Sequence, residues 1–74
     1  MYNYYVIEIQ TNADGTSGNF VFGFAARQDA DEKFGTLYAA AAKSSVMIHS
    51  IALMTNRCEV IENKAFVHPV EPEQ

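Results

Sequence analysis

Along Tyr4 to Thr11 the side chains alternate, with Tyr5, Ile7 and Ile9 on one parity and Tyr4, Val6, Glu8 and Gln10 on the other. A period of two in a stretch rich in aromatic and β-branched residues predicts a strand, and its wholly apolar parity is read as the buried one. Asn12 to Gly18 is polar and holds two glycines, the composition of a hairpin turn. Asn19 to Ala26 alternates again, with Phe20, Phe22 and Phe24 on one side and Val21, Gly23 and Ala25 on the other.

The period then changes. Ala30, Phe34, Leu37, Tyr38 and Ala41 recur at helical spacing and form one apolar stripe. Asp29 is placed to accept from the first free helical amides, and Glu32 three residues later completes a capping box, so the helix is expected over 29–43. Val46 to Met54 predicts a third strand, Thr55-Asn56-Arg57 a turn, and Cys58 to Val67 a fourth strand. The alternation of that last strand slips around Glu62-Asn63-Lys64, which a bulge near Asn63 reconciles. Pro69-Val70-Glu71-Pro72-Glu73-Gln74 cannot continue a ladder and is expected to be a flexible acidic tail, leaving 1–68 as one domain.

The predicted fold class is therefore α+β, β-β-α-β-β, with a four-stranded antiparallel sheet in the order 2-1-3-4. One helix crosses from the second strand to the third and packs on one face. In this reading Tyr5, Ile7, Ile9 and the three phenylalanines lie under the helix. The other face stays bare, with Tyr4, Val6, Val21 and Ala25 as its apolar surface and the candidate self-association site.

Composition sharpens that expectation. A chain of 74 residues buries only roughly 60% of the surface its unfolded form exposes, and small domains usually gain stability from disulfides, a metal or oligomerisation. Cys58 is the only cysteine, which rules out an internal disulfide and leaves too few thiols for a cysteine-rich zinc site. With 49% hydrophobic residues there is apolar surface to spare, so a homo-oligomer, a dimer first, is expected. Further protein partners stay open. Net charge is −4, and the basic residues Arg27, Lys33, Lys43, Arg57 and Lys64 are scattered, so no phosphate-tracking surface and no nucleic-acid partner is expected. Met1-Tyr2-Asn3-Tyr4 does not begin a signal sequence and no apolar run is long enough for a membrane span, which points to the cytoplasm and away from membranes.

Each candidate site has a plainer competitor. Gly35, Ala39 and Ala42 form a small-residue stripe that admits a close helix contact, or they reflect only the high helix propensity of alanine. Asn12-Ala13-Asp14-Gly15 resembles the opening of a calcium loop but lacks the further acidic ligands and closing glutamate, so it is read as a turn. His49 and His68 are not expected to share a metal, since pairing about Asn56 places His49 opposite Asn63 and His68 beyond it. His49 lacks a recognisable orienting carboxylate, so a buried histidine bonded to a neighbour competes with a general base. Cys58 beside Arg57 and Glu59 is read as a packed strand residue in preference to an activated thiol. Tyr2, Tyr4 and Tyr5 suit strand anchoring better than base stacking. No nucleophile–base pair or ligand cluster emerges, so no enzyme activity, cofactor or metal is expected. If the chain instead binds a small metabolite or nucleotide-like ligand between subunits, Tyr4, Arg27, Lys43 and His49 are the groups it offers.

Tyr4-Tyr5-Val6-Ile7-Glu8-Ile9-Gln10-Thr11, Ala13-Asp14-Gly15, Tyr38-Ala39-Ala40-Ala41-Ala42 and Ile48-His49-Ser50 together resemble a family of short proteins, without assigned function, carried on prophages and mobile elements of gut Firmicutes. The resemblance covers most of the chain as texture and has no site motif, so it transfers no functional residue. It implies a bacterial, intracellular, accessory protein.

Overall fold

The structure, a computed structural model, describes residues 1–68; the expected acidic tail at 69–74 lies outside the described residues. Four strands, β1 (Tyr4–Thr11), β2 (Ser17–Phe24), β3 (Ile48–Thr55) and β4 (Val60–Val67), and one helix, α1 (Arg27–Ala42), follow in the order β1-β2-α1-β3-β4. The sheet is antiparallel throughout with strand order β2-β1-β3-β4, as the hydrophobic pattern predicts.

The two hairpins close with the same loop. In the first, the Asn12 amide donates to the Thr16 carbonyl and the Gly15 amide to the Asn12 carbonyl; in the second, the Thr55 amide donates to the Glu59 carbonyl and the Cys58 amide to the Thr55 carbonyl. Each loop needs one residue in the left-handed region, where a turn gives way to a bulge. Gly15 takes it at φ 91° and Cys58 at φ 64°. Cys58 is thus an exposed loop residue, not the strand residue expected from sequence. A side chain there is strained, so Cys58→Gly is expected to stabilise the fold by about 0.5–1 kcal/mol. Chemical denaturation checks this, and a loss of stability refutes it.

The first loop also sets which parity of β1 faces the helix. Tyr4, Val6 and Glu8 lie opposite Phe24, Phe22 and Phe20. The expected packing is therefore reversed: Val6 is fully buried under α1, while Tyr5, Ile7 and Ile9 point to the bare face. Register fixed by a loop overrides a hydrophobic count, because a one-residue slip exchanges the two faces of a strand. Under the helix, Val6, Ala30, Phe34, Ile51 and Leu53 form the core, with Tyr4, Phe24 and Leu37 packed around them.

The helix starts two residues before the expected position. Ala26 is its N-cap, extended and without a side-chain cap, so the Asp29–Glu32 capping box does not form. Arg27 and Gln28 are good helix formers and carry the helix back past Asp29, which instead sits in the first turn, where the helix dipole favours it. The Arg27 guanidinium bonds Asp31 at 2.9 Å, which raises its pKa. At the other end, a ring nitrogen of His68 lies 2.9 Å from the Ala41 carbonyl, in place to donate to it as histidines near helix C-termini can.

The last hairpin carries the expected bulge two residues from the expected place. Leu53 pairs with Glu62 and Met54 with Val60, leaving Ile61 as the extra residue. This shift and the longer loop bring Phe66, not Asn63, opposite His49.

Candidate functional site

The two faces of the sheet differ in chemistry. Strand alternation and the observed registers assign Tyr5, Ile7 and Ile9 of β1, Asn19, Val21 and Gly23 of β2, Ile48, Ser50, Ala52 and Met54 of β3, and Asn63, Ala65 and Val67 of β4 to the face away from the helix. None of these positions is Asp, Glu, Lys or Arg. The strand charges Glu8, Glu62 and Lys64 all fall on the helix side; Lys64 lies over the Phe66 ring, its Nζ 5.4 Å from the centroid. A shallow depression of about 220 Å³ on this face is bordered by Ile7, Ile9, Ser50, Ala52, Asn63 and Ala65, and also by Ile51 and Lys64, whose register positions belong to the helix side. Val21 is 62% exposed and Val67 66%.

Tyr2, from the segment before β1, lies on this face beside Tyr5. A Cβ at Gly23 would meet the Tyr2 ring at 2.5 Å, so only glycine lets Tyr2 rest flat on β2. Tyr2 meets Tyr5 edge-on, ring centroids 6.3 Å apart. Asn3 and Asn56 hold this corner: the Asn3 amide bonds the Phe24 carbonyl and the Asn56 amide bonds the Asn3 carbonyl.

Of the four residues expected to carry self-association, only Val21 lies on the open face. Val6 is buried beneath α1 and Tyr4 packs against that core. Ala25 is exposed but falls beyond the end of β2. The helix stripe Gly35, Ala39 and Ala42 is exposed, and nothing approaches the place of a Cβ at Gly35, so no close helix contact is made there within the chain.

The four groups considered for a ligand do not converge. Tyr4 and Arg27 belong to the end of the sheet where α1 begins, Lys43 is exposed just after α1 ends, and His49 is buried in β3 under the helix. The turn residue Asp14 is engaged locally, as expected of a turn: its carboxylate accepts from the Thr16 hydroxyl at 2.6 Å and the Thr16 amide at 2.9 Å, which holds its carboxyl below the usual range.

His49 does have a carboxylate partner. Glu8 Oε2 lies 2.5 Å from His49 Nε2, and the two residues are 7% and 4% exposed. The two atoms are within hydrogen-bond distance. Nδ1 of His49 has no hydrogen-bond partner among the described residues. The pair has the composition of a general-base dyad, but both residues are buried on the helix side of the sheet, where they join β1 to β3 as a polar strut. The sequence hid it because Glu8 sits on the parity that its own charge marked as solvent-facing. Among the described residues no group of three or more metal-ligating side chains occurs, and no helix is long and apolar enough to cross a membrane.

Comparison with protein-family models, curated proteins and solved structures returns no match. The chemistry of the open face therefore carries the functional reading.

Proposed function

We propose that this chain is a non-enzymatic interaction module that works as a homo-oligomer, two copies meeting through the open faces of their sheets. The observation that carries the proposal is a complete sheet face free of charged residues in a chain of net charge −4. Depletion of charge is the compositional mark of an interface centre, and a neutral face lets two like-charged chains approach without opposing charges. Eight-residue strands with ~3.3 Å rise and ~4.8 Å spacing give a flat area of roughly 500 Å² for the four-stranded face. Side-chain relief raises this toward the ~800 Å² per partner of a standard stable interface. A two-fold axis through the face is the simplest closed arrangement.

The small-ligand reading gains no support from the geometry, since Tyr4, Arg27, Lys43 and His49 lie apart. The cytoplasmic location and accessory role implied by the resemblance to prophage and mobile-element proteins belong to this proposal and fit a small self-associating module.

Ile9 tests it. Ile9 is 43% exposed on the open face of the internal strand β1, so a lysine there fits the isolated subunit. Ile9→Lys is expected to halve the mass of the native assembly, read by native mass spectrometry, with the far-UV circular dichroism unchanged. An unchanged mass refutes the face as the interface.

A further inference from the structure

The sheet has two edges, β2 and β4, and they are built differently. β4 carries the devices that discourage edge-to-edge pairing: a bulge at Ile61 and the charges of Glu62 and Lys64. β2, Ser17–Phe24, has no charge, no proline and no register break along its whole pairing with β1. It is an uncharged edge of regular register with none of the devices that block an incoming strand.

The hydrogen-bond phase shows what this edge offers. The Asn12 amide bonds the Thr16 carbonyl and the Asn56 amide bonds the Asn3 carbonyl. Antiparallel ladders alternate, so even-numbered residues of β1 bond to β2 and odd-numbered ones to β3. On β2 the residues Asn19, Val21 and Gly23 are then left with N–H and C=O groups directed outward. Apolar side chains lie on both faces beside them: Val21 on the open face, and Phe20, 47% exposed, on the helix face. The Phe22 ring is covered by Lys33, whose Nζ lies 4.2 Å from the ring centroid.

We infer that β2 pairs antiparallel with β2 of a second copy about a two-fold axis at Val21, joining two sheets into one of eight strands. The pairing places Val21 opposite its own copy, Asn19 opposite Gly23 and Phe20 opposite Phe22. Every outward backbone group of these residues gains a partner. No like charges oppose one another, because the strand has none. On the helix side the phenylalanines of both copies cluster across the seam and bury the exposed Phe20. The arrangement is isologous and closes on itself, whereas pairing β2 with a partner's β4 would propagate without end; the bulge and charges of β4 oppose that alternative. This interface is distinct from the sheet face proposed above, and the two together give a tetramer.

Two substitutions separate them, since Phe20 lies on the helix side and Ile9 on the open face. Native mass spectrometry, with circular dichroism to confirm folding, is expected to show a tetramer for the parent chain, dimers for Ile9→Lys and for Phe20→Lys, and a monomer for the double variant. A monomeric Ile9→Lys chain, or a Phe20→Lys chain with the parent's mass, overturns the edge pairing. A monomeric Phe20→Lys chain beside a dimeric Ile9→Lys chain keeps the edge and refutes the face. Amide hydrogen exchange on the parent chain needs no variant to fold: the Val21 amide is expected to exchange slowly at high protein concentration, as a bonded strand amide does, and exchange at the rate of an open edge overturns the pairing.

Discussion

His49→Leu is expected to unfold this domain or bring it close to unfolding. The substitution leaves the Glu8 carboxyl buried without its partner, and breaking a buried pair by removing one member costs about 3–5 kcal/mol. Small domains have about 5–15 kcal/mol in total, and this one, with a core of five residues, two of them on the helix, belongs near the bottom of that range. Glu8→Leu is expected to cost less than His49→Leu but still about 1–3 kcal/mol, since it strands the second imidazole nitrogen as well. The double variant Glu8→Leu/His49→Leu removes both polar groups and is expected to recover most of the loss, because an apolar replacement of a buried pair is often neutral. Urea denaturation of the four proteins gives the coupling energy directly. If the two single losses simply add in the double variant, the pair is not the strut described here.

Leu53→Ala is expected to be nearly as damaging, at about 2–5 kcal/mol. Leu53 is fully buried between the cross-strand neighbour Val6 and the helix, and it is among the largest fully buried side chains. Few other residues share the load, so the cavity has little around it that can collapse inward. If the subunits associate as proposed, the stability of parent and variant is expected to rise alike with protein concentration, leaving the difference between them unchanged. Thermal unfolding at two concentrations a hundredfold apart checks both parts. A change below about 1 kcal/mol would place the core elsewhere.

The β-β-α-β-β order and the 2-1-3-4 sheet are legible in the sequence because strand and helix periods are strong signals and the polar turns stand between them. What was not legible is which side of β1 faces in. Tyr5, Ile7 and Ile9 are the more apolar parity, yet the five-residue loop from Asn12 to Thr16 sets the register, and Val6 with Glu8 goes under the helix. A carboxylate at an inward position contradicts a hydrophobicity count unless its partner is known, and that partner lies 41 residues away. The same reversal moved the candidate interface from Tyr4 and Val6 to Ile7 and Ile9. The location of the bulge and the left-handed residue at Cys58 depended on hairpin hydrogen bonds that leave no periodic trace.

The strand order also constrains the sequence of folding events. β1 is central, but its two neighbours arrive at very different times: β2 through a short loop, β3 only after the whole helix has been made. Closing the longer loop is the costlier step in chain entropy. Until it closes, the first hairpin has both long edges open, and the Glu8 carboxyl stands in water with no imidazole to meet it. A carboxylate on the inward face of β1 is expected to disfavour burial of that face against other chains until His49 arrives to meet it.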